Sequence, residues 1–232
     1  QINTNNIDVT QTFWRSDSRL AVVGIRGIET VIAEYDIITK EFIEIWSCES
    51  ISTAGFGPKV SPLGFSCSDY LLVGEGFLTA PEIATVIDGK YVAIESFDHT
   101  YNDLMDILIS SIKSITWVAP DGLEIQGWLM SPKEGELPHP LVMHIHGGPV
   151  SHWRQHYLGR RKLQFLLLLK QGYALFWPNP RGSSGRGRDF SRLVQGDMGG
   201  QDTFDYLSGL DYLIGKGIAD PNRLGVTGGS YG

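Results

Sequence analysis

The feature that most constrains the fold of this chain is a five-residue motif that directly follows a short apolar stretch. Gly228-Gly229-Ser230-Tyr231-Gly232 fits the pattern G-x-S-x-G, and Arg223-Leu224-Gly225-Val226-Thr227 before it is typical of a buried strand. In this pattern a serine lies on a sharp, strained turn after a strand, which exposes its hydroxyl above the sheet. Alone, the match is weak, because glycine is common here (28 residues) and Gly/Ser turns are ordinary in loops.

A second motif makes the first more specific. Leu141-Val142-Met143-His144-Ile145 predicts a strand, and it leads into His146-Gly147-Gly148-Pro149. In lipases and esterases such a loop offers one backbone N–H to an oxyanion, and the residue after the serine offers another. The two motifs together predict that the N–H groups of Gly148 and Tyr231 meet near the Ser230 hydroxyl. The alternative for the loop is an ordinary β-turn, and we interpret His146 as a histidine that only satisfies the loop by hydrogen bonds.

The stretch between the two motifs alternates between predicted helices and strands. Residues 158–172 predict a helix, residues 173–177 a strand, and residues 201–217 an amphipathic helix with apolar residues at three- and four-residue spacings. Residues 220–222, Asp-Pro-Asn, predict a turn. Residues 179–187 are rich in Gly, Ser and Arg but lack the phosphate-binding pattern G-x-x-x-x-G-K-[ST], which favours a structured loop near the site. This strand–helix alternation predicts parallel strands joined by crossover helices.

Residues 1–112 have a different pattern. Apolar and polar residues alternate in residues 30–36 and 41–46, which residues 37–40 join as a hairpin. Further predicted strands cover residues 20–25, 70–73, 84–87 and 90–96, and the first competing helix signal comes at residues 101–111. The pattern fits blades of a β-propeller or a β-sandwich. A further hairpin, residues 117–119 and 123–130, begins the α/β part.

Five motifs occur in order, and together they resemble the prolyl oligopeptidase family of serine peptidases, most of all its acylaminoacyl-peptidase branch. They are HGGP, NPRGSSGRG, GDMGGQD, DPNRLG and GGSYG. The resemblance implies part of a β-propeller, about two to three blades, in residues 1–112. It implies the N-terminal portion of an α/β-hydrolase domain, with a doubly wound, mostly parallel sheet, in residues 113–232. HGGP departs from the prolyl oligopeptidase branch proper, so strict post-proline endopeptidase activity is disfavoured.

The resemblance also assigns roles: Ser230 is the nucleophile, and Gly148 and Tyr231 form the oxyanion hole. The Asp and His of the catalytic triad follow the nucleophile in this family. The chain has six histidines, and all precede Ser230: His99, His139, His144, His146, His152 and His156. We therefore expect the chain to be a fragment without the triad Asp and His, and inactive alone.

Three functions remain open at this point. The first is a serine peptidase that hydrolyses peptides through an acyl-enzyme on Ser230. The second is an esterase-type acyl hydrolase, because this machinery does not distinguish amides from esters. The third is an inactive fragment or interaction module.

The amino-acid composition limits the kinds of binding partner that we expect for this chain. The formal net charge is −7 and no basic run occurs, which argues against nucleic acid. The two cysteines, Cys48 and Cys67, are too few for a disulfide framework or a zinc site. We expect both to be small buried residues of a protein in a reducing compartment. We expect peptide substrates, a cytoplasmic location, no membrane association, and no metal or organic cofactor. Homo-oligomerisation of the whole protein stays open.

Overall fold

The computed structural model describes residues 2–64, 68–97 and 101–232, so Cys67 and His99 lie outside the described residues. The chain divides into two compact units. Unit 1 comprises Gln1–Asn102 with two later segments, Arg154–Tyr157 and Gly185–Gly187, and unit 2 comprises the remaining residues. The division after Asn102 comes earlier in the chain than the boundary after residue 112 that the sequence predicts.

Unit 1 contains two antiparallel sheets. The first has the strand order β1-β2-β3-β4, and the second has β5-β7-β8-β9 with β6 paired to β7. The hairpin predicted from alternation is confirmed, since β3 and β4 pair with Tyr35 opposite Phe42. The nine strands are β1 (Asp8–Trp14), β2 (Arg19–Arg26), β3 (Glu29–Asp36), β4 (Phe42–Cys48), β5 (Ser52–Thr53), β6 (Ser61–Pro62), β7 (Tyr70–Glu75), β8 (Glu82–Ile87) and β9 (Lys90–Ser96).

The two sheets of unit 1 share one apolar core. Val23 and Ile32 of the first sheet are fully buried in the same cluster as Tyr70 and Val86 of the second. The Tyr70 hydroxyl donates a 2.6 Å hydrogen bond to the buried Glu34 carboxylate, so the polar atom in this core has a partner. The first sheet has four antiparallel strands, the number that a propeller blade has, and the second has five.

Unit 1 is completed by residues from later in the chain. Arg154 is 3% exposed, and its guanidinium donates a 2.5 Å hydrogen bond to Ser52 Oγ and a 3.2 Å bond to the Thr53 carbonyl oxygen. The backbone N–H of Gly185 donates a 2.5 Å bond to the Asp8 carboxylate. These contacts satisfy polar groups of strands β1 and β5, which is why the two short segments belong to this unit.

Unit 2 is built on one five-stranded sheet with the order β10-β11-β13-β12-β14. The parallel pairings that the crossover helices require are present between β12 and β13 and between β12 and β14. The β10–β11 and β11–β13 pairings are antiparallel, so these five strands form a mixed sheet rather than the mostly parallel one expected. Its elements are α1 (Asn102–Leu108), β10 (Ile109–Val118), β11 (Glu124–Pro132), β12 (His139–Ile145), α2 (Leu158–Arg161), α3 (Leu163–Lys170), β13 (Ala174–Asn179), α4 (Arg188–Arg192), α5 (Gln201–Gly215) and β14 (Ala219–Gly228).

Two local predictions in unit 2 need correction. The helix predicted over residues 101–111 ends at Leu108, because residues from Ile109 onward pair with β11. The turn predicted at residues 220–222 is an irregularity inside β14, where the register with β12 shifts between Ala219 and Leu224. Pro221 has no N–H to donate to a sheet, which suits a position where regular pairing is interrupted.

Helix α5 approaches the sheet closely at Gly209. A Cβ atom at this position would lie 2.8 Å from Phe176 Cζ and 2.9 Å from Trp117 Cε2. Both rings are buried and form an edge-to-face pair with centroids 5.2 Å apart. The Trp117 indole N–H also donates a 3.0 Å hydrogen bond to the Asp205 carbonyl oxygen on α5. The small residue Gly209 and this hydrogen bond therefore both help to hold the helix close to the core.

Candidate active site

Ser230 lies on a strained turn directly after strand β14. Its φ angle is 61°, in the left-handed region that residues with a side chain rarely adopt. A Cβ atom on Gly228 would overlap the carbonyl carbon of Gly232, and one on Gly232 would overlap the Ile145 carbonyl oxygen. Close backbone approach therefore requires both glycines of the G-x-S-x-G pattern. The Ser230 side chain is exposed, as this turn demands.

The loop after β12 lies against this turn. Strands β12 and β14 are parallel, with Ile145 opposite Gly228, so both loops start at the same edge of the sheet. A Cβ atom on Gly147 would lie 3.1 Å from Ser230 Cβ and 3.0 Å from the Gly229 carbonyl oxygen. Gly148 follows with a φ of 131°, a conformation that favours glycine. The convergence of the Gly148 and Tyr231 N–H groups on one oxygen stays a prediction.

His146 is held by a serine other than Ser230. Its Nε2 lies 3.0 Å from Ser183 Oγ and its Nδ1 lies 2.8 Å from the Gly147 carbonyl oxygen. Burial lowers the pKa of this imidazole below its ordinary value. A neutral imidazole has one donor and one acceptor, and these two contacts use both. The geometry matches our interpretation of His146 as a histidine that satisfies the loop.

The Gly/Ser/Arg loop lies beside the same site, since Ser183 belongs to it. Arg181 is buried and anchors the loop, donating a 2.8 Å bond from Nη2 to Asp205 Oδ1 and a 2.7 Å bond from Nη1 to Asp121 Oδ2. Its backbone N–H donates a further 2.8 Å bond to Asp205. These hydrogen bonds raise the pKa of the guanidinium. The predicted structured loop is thus held by buried ionic contacts, with no phosphate-binding pattern.

Tyr231 makes a side-chain contact that the sequence did not reveal. Its hydroxyl donates a 2.5 Å hydrogen bond to Asp202 Oδ2 and accepts a 2.9 Å bond from the Gly199 N–H. From the sequence, Asp202 has only a favourable charge for the start of a helix. The two partners are 29 residues apart in the sequence, and no local pattern predicts this pairing.

Metal binding and membrane insertion find no support in the described ranges. Among residues 2–64, 68–97 and 101–232, no three His, Cys, Asp or Glu side chains are grouped to hold a metal ion. In the same ranges, no helix combines the length and apolar character needed to cross a bilayer.

Cys48 is a free thiol and is partly exposed, which corrects the expectation of a buried residue.

Comparison with known proteins gives three informative matches besides the family itself. The chain is 43% identical over 127 residues to the uncharacterized peptidase YuxL of Bacillus subtilis, covering 53% of this chain and 19% of that protein. It is 25% identical over 231 residues to dipeptidyl-peptidase 5 of Porphyromonas gingivalis, covering 98% of this chain and 32% of that protein. The structure of Pyrococcus horikoshii acylaminoacyl peptidase superposes with a TM-score of 0.76 at 22% identity, covering 97% of this chain and 34% of that one.

The last two matches show that the chain spans about one third of the length of these relatives. Almost the whole chain shares its fold with the acylaminoacyl peptidase, and the named relatives are peptidases. A sequence model of the prolyl oligopeptidase family matches residues 160–232, which run from helix α2 to the strained turn at Ser230. The resemblance seen in the motifs is therefore confirmed for residues 160–232, which match the model of the prolyl oligopeptidase family.

Proposed function

We propose that this chain carries the nucleophile and oxyanion hole of a serine peptidase that hydrolyses peptides through an acyl-enzyme on Ser230. The observation that carries the proposal is the strained Ser230 turn, at φ 61°, with the Gly147 backbone packed against it. Strain of this kind persists only where the surrounding structure holds it, and it concentrates at active sites. Here it presents the hydroxyl beside the loop after β12, which supports the proposed role of that loop.

The chemistry follows from these positions. The Ser230 oxygen attacks the peptide carbonyl, and its proton passes to a general base. The carbonyl oxygen becomes an oxyanion, which the N–H groups of Gly148 and Tyr231 stabilise. Collapse of the tetrahedral intermediate breaks the C–N bond and releases the amine, which takes up the proton from the base. Water then attacks the acyl-enzyme in the same manner and frees the Ser230 hydroxyl.

The base is the missing part of this machinery. In this fold a histidine and a carboxylate that follow the serine in sequence complete the triad. His146, the histidine of the adjacent loop, has both ring nitrogens in other contacts. We propose that the whole protein supplies the triad Asp and His from outside these 232 residues, and that the chain alone is inactive. The propeller assignment of residues 1–112 is part of the same proposal, supported by the two antiparallel sheets of unit 1.

The test compares the 232-residue chain with the whole protein on N-acyl-amino-acid and peptide anilides. We expect hydrolysis by the whole protein and none by the isolated chain. Ser230→Ala in the whole protein should abolish turnover, whereas Ser191→Ala, at a partly exposed serine on α4, should leave it unchanged.

Two results would contradict the proposal. Undiminished anilide hydrolysis by the Ser230→Ala variant would exclude this nucleophile. Labelling of the isolated chain by a fluorophosphonate at Ser230 would show that a base lies within these residues after all. Turnover of p-nitrophenyl esters without any turnover of anilides would favour the esterase alternative.

A further inference from the structure

We propose that Asp202 is a positioning residue for the oxyanion donor at Tyr231. It acts through the Tyr231 side chain and has no contact with substrate in this role. The inference rests on the proposed function, because an oxyanion donor matters only if Ser230 forms a tetrahedral intermediate. It adds a contact between the start of helix α5 and the catalytic turn.

The contact is specific in its geometry. Asp202 is the second residue of α5 and is 2% exposed. Its Oδ2 accepts a 2.5 Å hydrogen bond from the Tyr231 hydroxyl, which in turn accepts a 2.9 Å bond from the Gly199 N–H. One donated and one accepted bond fix the end of the tyrosine side chain in position.

The surroundings make this contact hard to replace. The two residues line an open cavity of about 390 Å³ whose other walls include Met143, Ile145 and Leu207. Asp202 Oδ1 has no hydrogen-bond partner among the described residues, so the Tyr231 hydroxyl is important for satisfying this carboxylate. Burial and the bond to Asp202 raise the pKa of Tyr231, so its hydroxyl remains a donor at neutral pH.

The link to catalysis is the peptide plane between Ser230 and Tyr231. This plane is rigid and carries the Tyr231 N–H, so any rotation of it redirects the donor. Within the turn, the Gly232 N–H to Gly229 carbonyl bond is long, at 3.2 Å. The Tyr231 side chain therefore adds an anchor outside the turn. Because the donor acts on charge that develops in the transition state, losing its alignment should lower kcat more than it changes KM.

The experiment uses the whole protein and compares Tyr231→Phe, Asp202→Ala and Asp202→Asn. Loss of an entire oxyanion donor costs about 10²–10³-fold in kcat, so partial misalignment should cost roughly tenfold. We expect that loss in Tyr231→Phe and in Asp202→Ala, with KM within about twofold. Asp202→Asn should retain more activity, because its amide oxygen still accepts the bond. Asp211→Asn, at an exposed position of the same helix, is the matched control and should behave as wild type.

A double variant, Asp202→Ala with Tyr231→Phe, completes the test. If the two residues act as one unit, its kcat should equal that of either single variant, whereas independent roles would multiply the losses. Unchanged kcat in Tyr231→Phe, or multiplied losses in the double variant, would overturn the inference. Should Asp202→Ala fail to fold, Tyr231→Phe decides alone, since it removes only a hydroxyl. Failure of the proposed function is distinguishable, because then Ser230→Ala would still hydrolyse the anilides.

Discussion

Replacing Gly209 with alanine tests how closely helix α5 must pack on the sheet of unit 2. The new Cβ would lie 2.8 Å from Phe176 Cζ and 2.9 Å from Trp117 Cε2. Neither ring can easily retreat, because both are buried and Trp117 is also hydrogen-bonded to α5. The helix must therefore shift outward or the rings must leave their preferred rotamers.

Two free-energy contributions of opposite sign determine how much Gly209→Ala changes the stability. Overpacking of a well-packed core costs about 1–3 kcal/mol. Alanine also gains up to about 1 kcal/mol of helix propensity over glycine. Gly215→Ala, at the end of the same helix and with no atom within 4 Å of its new Cβ, gains propensity without the steric cost. Comparing the two variants largely cancels the propensity term, so Gly209→Ala should be less stable than Gly215→Ala by about 1–3 kcal/mol.

The assay is urea unfolding of the 232-residue chain. Unfolding is monitored by tryptophan fluorescence, to which Trp117 in the affected core contributes. A change in stability should move the midpoint and leave the m-value unchanged. The reasoning is refuted if Gly209→Ala unfolds at the same urea concentration as Gly215→Ala, or at a higher one. That outcome would mean that α5 is free to move on the sheet.

Two further predictions concern ionisable side chains that are buried or partly buried. Asp205→Ala leaves the buried Arg181 guanidinium with only the partly exposed Asp121 as its carboxylate partner, so the free energy of unfolding should fall by about 3–5 kcal/mol in the same urea assay. A loss below about 1 kcal/mol would show that Asp121 or water compensates. Burial and the nearby Lys162 hold the pKa of His144 at about 4, against an ordinary 6.5. The unfolded chain binds the proton more readily, so the free energy of unfolding should fall as the pH drops from 6.5 towards 4. His144→Gln should make the free energy of unfolding depend less steeply on pH in this range. Equal pH dependence in the variant and the wild type would contradict this prediction.

Regular periodicity made much of the fold predictable, and its absence explains the errors. The β3–β4 hairpin and helix α5 follow from period-two and three-to-four-residue spacings, which tertiary packing then uses. Strand β1 (Asp8–Trp14) was missed because it is half exposed and lacks clear alternation. The start of β10 at Ile109 was missed because pairing with β11 decides it, and that pairing is not a local property of the sequence.

The candidate site shows the same contrast. Ser230 could be located because its turn requires glycines at fixed spacings, and close backbone contacts at Gly228 and Gly232 give the physical reason. The contact between Tyr231 and Asp202 could not be predicted, because side-chain partners 29 residues apart depend on where α5 packs. The sequence predicts an oxyanion donor at Gly148, and the structure brings the preceding residue, Gly147, close to Ser230, so the role of the Gly148 N–H stays a prediction.

The composition of unit 1 from separate stretches of chain has a consequence for how it can be made. Synthesis proceeds from the N-terminus at about 5–20 residues per second, so Arg154 emerges seconds after residue 102. Until then the Ser52 hydroxyl and the Thr53 carbonyl lack the hydrogen bonds from Arg154, and the Asp8 carboxylate lacks the bond from Gly185 for longer still. Unit 1 can therefore be finished only after most of unit 2 has been synthesised. No single cleavage of the chain would therefore produce a complete unit 1.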